Sequence, residues 1–132
     1  MKKDVIKEAV EMGKRLGHVF VATANSSGLP HLAASSRIEE EPGGRVAVWE
    51  WFCPGTLVNL QGNPQISIVA WDPVNDKGFQ ILGAAEDLEE TAMMDGLSPN
   101  LGKALPQVER KIHIRVEKII DFSHAPHSDT EE

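Results

Sequence analysis

The short distances between strand-like runs constrain this chain more than any other feature. Residues 18–24 (HVFVATA), 29–38 (LPHLAASSRI) and 45–52 (RVAVWEWF) are separated only by the turn clusters NSSG at 25–28 and EEEPGG at 39–44. Parallel neighbours need a crossover of a dozen or more residues, so links this short force antiparallel pairing. Two more runs, 65–71 (QISIVAW) and 79–88 (FQILGAAEDL), flank the polar turn 72–78. In the last run, 111–122, Ile112, Ile114 and Val116 alternate with Lys111, His113, Arg115 and Glu117, the period of a half-buried strand. Pro30 stands near the start of its run, where a missing ladder donor does least harm.

Helical signals surround these six strands. Val5, Ile6, Ala9, Val10, Met12 and Leu16 recur at helical spacing, with Asp4 as the expected N-cap and Gly17 as the stop. Residues 91–97 read as helical, and Ser98-Pro99 reads as a restart ended by Pro106. Residues 123–132 are polar and are expected to form a flexible tail. The prediction is one mainly β (α+β) domain over 1–122, a six-stranded antiparallel barrel with short flanking helices.

Composition removes several function classes. At 132 residues the chain makes one domain. Its net charge of −7 disfavours nonspecific nucleic-acid binding. No apolar run approaches the roughly 20 residues that span a bilayer. The first residues, MKKDVIKE, lack the apolar core of a signal peptide. Cys53 is the single cysteine, so no intrachain disulfide forms, which fits a reducing cytoplasm. The five histidines show no zinc spacing, and no metal site is expected. There is no dinucleotide-binding or P-loop glycine motif.

The chemistry-bearing stretch is 53–64 (CPGTLVNLQGNP), a short helix between two strands. Thr56 is expected to N-cap it, and Gly62 with Asn63-Pro64 to end it. The free N–H groups at such a start, a hydroxyl and a glycine that allows close approach suit a phosphate. The alternative is a plain connector whose Thr merely caps. Trp49 and Trp51 share one strand face and, with Trp71, suit a planar ligand, a subunit interface or the core. Cys53 has no identifiable His or Asp partner for nucleophilic work.

Three segments together resemble the FMN-binding split barrels related to pyridoxamine 5′-phosphate oxidase. They are the hairpin of Phe20-Val21-Ala22-Thr23-Ala24 and Gly28-Leu29-Pro30-His31-Leu32, the stretch from Thr56 to Ser67 with its Asn59-Leu60-Gln61-Gly62-Asn63-Pro64 helix end, and Phe79-Gln80-Ile81-Leu82-Gly83-Ala84-Ala85-Glu86. The resemblance spans roughly residues 18–88, and the helix end is its most specific part. It implies a homodimer of split barrels with FMN in a groove at the interface. It places Gly55 and Thr56 at the FMN phosphate. Ser35, Ser36 and Arg37 would line the groove, and Trp51, Phe52 and Cys53 would run beside the flavin ring. Many relatives carry Lys or Arg where Gly55 stands, and Arg37 is the expected substitute. The implied function is FMN binding, with oxidoreductase activity open and the substrate unnamed. The alternatives are a non-catalytic module for haem or a deazaflavin, and a structural dimer without cofactor.

Overall fold

The computed structural model describes residues 3–51, 54–94, 97–98, 103–104 and 107–126. The elements are α1 (Lys3–Leu16), β1 (Val19–Ala24), β2 (Pro30–Ser35), β3 (Arg37–Glu41), β4 (Arg45–Trp51), α2 (Pro54–Gly62), β5 (Gln65–Asp72), β6 (Lys77–Met94), β7 (Leu97–Ser98), β8 (Lys103–Ala104) and β9 (Gln107–Asp121). Seven strands form one antiparallel sheet in the order β2-β1-β5-β6-β9-β4-β3. The short β7 and β8 pair with each other.

The expected count of six strands is corrected at the second one. The run 29–38 is two strands, β2 and β3, parted by a bend at Ser36 and lying at opposite edges of the sheet. Unbroken β-type residues hide this break, because nothing in local pattern tells a strand that continues from one that changes edge. Ser35 makes the corner. Its buried hydroxyl lies within hydrogen-bonding distance of the Trp49 carbonyl and 3.0 Å from the Arg37 carbonyl, and it accepts from the Arg37 N–H at 3.3 Å. The curled sheet therefore meets itself through a stitched corner, with no ladder between its edge strands.

The expected helical insertion is also corrected. Thr91 to Met94 continue β6, which pairs with β9 from Phe79↔Asp121 to Met94↔Gln107. Leu97-Ser98 is strand as well. Glu, Ala and Met favour helix locally, but long-range pairing overrides propensity. Residues 95–96, 99–102 and 105–106, which include Pro99 and Pro106, lie outside the described residues. At the start of the predicted tail, His124 meets Asp76. Asp76 accepts from the Trp71 indole N–H and the His124 backbone N–H, both at 3.0 Å, and its other oxygen lies 3.3 Å from His124 Nε2.

The core lies inside the curl. Val19 and Val21, Val46 and Val48, Ile66 and Ile68, and Ile112 and Ile114 supply it by strand alternation, and all are buried. Helix α1 covers it with Ile6, Ala9 and Val10, one face at 3.6 spacing. A Cβ added at Gly13 would sit 2.8 Å from both Ile38 Cγ2 and Val19 Cγ1, so α1 approaches too closely for a side chain there.

The other face of β9 and β4 carries charge. His113 Nδ1 is 2.7 Å from Glu41 Oε1, its Nε2 is 3.1 Å from Glu89 Oε2, and Lys111 Nζ is 3.0 Å from Glu41 Oε2. The bond to Glu41, above all, holds the His113 imidazole above its ordinary range; burial opposes this and Glu89 adds to it. Burial is the largest influence on Glu41 and pushes it up, but His113 and Lys111 together outweigh it and leave the carboxyl below its usual range. A raised imidazole stabilises the fold fully below the unfolded value of about 6.5 and loses that contribution as pH climbs through the folded value. The lowered Glu41 contributes above the ordinary carboxylate range and loses this as pH falls through its folded value. Thermal melts of the parent and His113→Gln should therefore differ most below about pH 6.5 and converge as pH climbs through the raised folded value. A constant difference across that range would show that the charge of His113 is irrelevant to stability.

Candidate functional site

Helix α2 follows the end of β4, and Pro54 stands at its first position, where the missing N–H costs nothing. Thr56 is thus the third helical residue rather than the N-cap, a correction to the expected capping role. It is fully buried, and its hydroxyl has no hydrogen-bond partner among the described residues. The other end matches expectation. The helix stops at Gly62, the Asn63 N–H bonds to the Asn59 carbonyl at 2.7 Å, and Asn63 Oδ1 accepts from the Gln65 N–H at 3.1 Å. Leu60 anchors the helix in the core, and Asn59 Nδ2 donates to Thr23 Oγ1 on β1 at 3.0 Å.

That anchoring sets the helix start against β2. Thr23 pairs with His31 in the β1–β2 ladder, so the two side chains share a face. The His31 ring lies over Gly55: a Cβ added there would be 3.0 Å from Nε2 and 3.3 Å from Cε1. One group of residues is therefore Gly55, Thr56 and His31. His31 carried no role in the sequence reading. The signal available was strand parity, which puts His31, Ala33 and Ser35 on one face of β2.

Arg37, Trp49 and Lys111 stand in register across β3, β4 and β9. The Arg37 guanidinium carbon is 3.9 Å from the Trp49 ring centroid, and Lys111 Nζ is 4.9 Å from it. Arg37 is thus engaged on an aromatic face. Ser35 is occupied in the corner described above, and Ser36 is exposed beside it. Both border a cavity of about 260 Å³ with His18, Ala34, Trp49 and Glu50. Trp51 ends β4 opposite Glu109, and its side chain is outside the description, as are Phe52 and Cys53.

The outer face of the β1–β2 hairpin is apolar and open. Leu32 is 65% exposed and Phe20 37%, with Ala34 exposed between them and partly buried Val69 beside them on β5. A groove of about 410 Å³ continues this face over Ala22, Ser67, Leu82 and Gly83, bordered by Glu117 and Lys118. Among the described residues there is no cluster of His, Cys, Asp and Glu suited to a metal ion, and no helix long and apolar enough to cross a membrane.

A curled antiparallel sheet whose edges meet at an unpaired corner, with a short helix between β4 and β5, is the split barrel of the pyridoxamine 5′-phosphate oxidase type. Solved structures bear this out. A pyridoxamine 5′-phosphate oxidase-related, FMN-binding protein from Nostoc punctiforme superimposes with a TM-score of 0.63 at 12% identity, over 92% of this chain and 84% of that one. An F420 reductase gives 0.59 at 17%, over 83% and 93%. HutZ, a haem storage protein from Vibrio cholerae, gives 0.54 at 15%, over 89% and 92%. No protein-family model matches the chain. In sequence it is 30% identical over 129 residues to the uncharacterized protein MJ0282 of Methanocaldococcus jannaschii, covering 92% of this chain and 85% of that protein. The chain belongs to the family of that protein, and its fold is the split barrel.

Proposed function

We propose that this protein binds FMN as a homodimer of split barrels. The observation that carries the reading is the start of α2. Gly55 is partly exposed there, its N–H belongs to the first turn, whose amides have no acceptor within the helix, and the helix sequence PGTLVNLQG contains no charged residue. Uncompensated N–H groups and the positive end of the helix dipole suit a phosphate. The Thr56 hydroxyl, without a partner among the described residues, fits the same assignment, since leaving it unsatisfied costs about 1–3 kcal/mol and a group bound at this turn would relieve that cost. Ser36, Trp51, Phe52 and Cys53 would border the ring. When bound, FMN supplies the redox chemistry, and the chain's residues hold, orient and shield it.

The open hairpin face supports the dimer. Exposed Leu32, Phe20 and Ala34 make a contiguous apolar surface of the kind a partner subunit covers. The 260 Å³ cavity beside Ser36 is below the size of ordinary ligand pockets, which start at about 300 Å³. A flavin bordered by Ser36 would therefore need a second wall there, which a partner copy would supply.

The visible spectrum of the purified protein, with light scattering, tests the reading. A flavin spectrum from a dimer is the expected result. A Soret band transfers the site to haem, and a colourless monomer that takes up no FMN rejects the proposal. Thr56→Val is sharper still. Losing a partnerless buried hydroxyl should preserve or raise the melting temperature of the ligand-free protein. FMN affinity should fall about tenfold, the loss of one hydrogen bond to a charged group, with riboflavin affinity unchanged. Equal loss for both ligands would place the phosphate elsewhere.

A further inference from the structure

We propose that His31 is the phosphate-recognising side chain of the α2 site. The inference rests on reading the start of α2 as a phosphate site, and it assigns the group that provides side-chain recognition there. Arg37 is held over Trp49. Position 55 has no side chain, and the space in which one would stand is filled by the His31 ring.

Two features place that ring, and a third marks the same helical turn. First, the ladder pairs His31 with Thr23, and Thr23 Oγ1 accepts from Asn59 of α2, so β2 and α2 are locked in one relative position. Second, the contact is close. A methyl group at Gly55 would lie 3.0 Å from Nε2, 3.3 Å from Cε1 and 3.4 Å from Cδ2, tighter than ordinary packing, so glycine is what admits the ring. Third, the Thr56 hydroxyl next in the chain is buried without a partner among the described residues. His31 itself is exposed, so its ring is open to solvent beside the N–H groups of the first turn. In either protonation state an imidazole keeps at least one N–H to donate, and when protonated it adds positive charge. A ring nitrogen, the first-turn N–H groups and a hydroxyl make a donor set for a phosphate monoester.

Two measurements test this. In the first, the ring signals of His31 are followed by NMR during titration of the protein with inorganic phosphate, with His124, tied to Asp76, as the internal control. The His31 ring signals and the Gly55 to Leu57 amides should move while those of His124 do not. In the second, FMN and riboflavin affinities are compared for the parent, for His31→Ala, and for His31→Ala carrying Gly55→Lys. His31→Ala should lose about tenfold in FMN affinity with riboflavin unchanged, the scale of one charged hydrogen bond. The added lysine should restore FMN binding by putting a cation back in the same space.

The outcomes separate the two readings. A parent that takes up no flavin but whose His31 signals respond to phosphate retires FMN and keeps the phosphate subsite. A parent that prefers FMN to riboflavin, with His31→Ala indistinguishable from it, keeps FMN and overturns the role of His31. His31 signals unmoved by phosphate also overturn it. Since His31 is exposed on an edge strand, its alanine variant should melt like the parent, which guards against a folding artefact.

Discussion

Gly83→Val is expected to destabilise this protein more than any other single change considered, by about 3 kcal/mol or more, because the obstruction is backbone. A Cβ at Gly83 would lie 2.2 Å from the Arg115 carbonyl oxygen and 3.1 Å from Ile114 Cγ2. The β6–β9 register shifts between Leu82 and Gly83, and the bulge presses the two backbones together where the sheet curls. A flexible side chain could move aside, but a ladder carbonyl in the central strand pair cannot do so without breaking its own pairing. Even Gly83→Ala should lower the melting temperature markedly. A melting temperature within 2 °C of the parent, roughly half a kcal/mol for a domain of this size, would show that the sheet can shift at the bulge.

Ile114→Ala should cost roughly 2–5 kcal/mol by a different route. Ile114 is fully buried on β9, in register between Val46 of β4 and Ala85 of β6, so no flank is open to collapse into the gap. Chemical denaturation should show the midpoint falling with an unchanged slope. The two sites touch, which makes their combination informative. If the Ile114 methyl were the main obstacle at position 83, Gly83→Ala with Ile114→Ala would be milder than the sum of the two. Because the Arg115 carbonyl is nearer, no substantial rescue is expected.

Much of the sheet could be read from residue order. The turn cluster at 25–28 and the alternation of Ile112, Ile114 and Val116 are local, and they led to the right strands and the right antiparallel sense. The stop of α2 at Gly62-Asn63-Pro64 was legible for the same reason, because capping is settled within a few residues. The cap at its other end was misjudged, since Pro54 opens the helix two residues before Thr56. The split of 29–38 at Ser36 was invisible. That break depends on Ser35 reaching the Trp49 carbonyl, 14 residues away, and on the sheet curling round to meet it. The extension of β6 through Thr91 to Met94 was missed because its partner, the start of β9, begins 13 residues after it ends.

The candidate site divides along the same line. Residue order alone established a short uncharged helix between two strands, a glycine and a threonine in its first turn, and the lack of any cysteine pair for an intrachain disulfide, because these depend on composition and near neighbours. Only the tertiary structure decided that Arg37 lies over Trp49, that Thr56 is enclosed without a partner among the described residues, and that His31 fills the space at Gly55. His31 and Gly55 are 24 positions apart, and neither residue type announces the other. Strand parity on β2 and the anchoring of α2 through Asn59 and Thr23 bring them together, and a pairing of that kind is a property of packed elements rather than of any local stretch of chain.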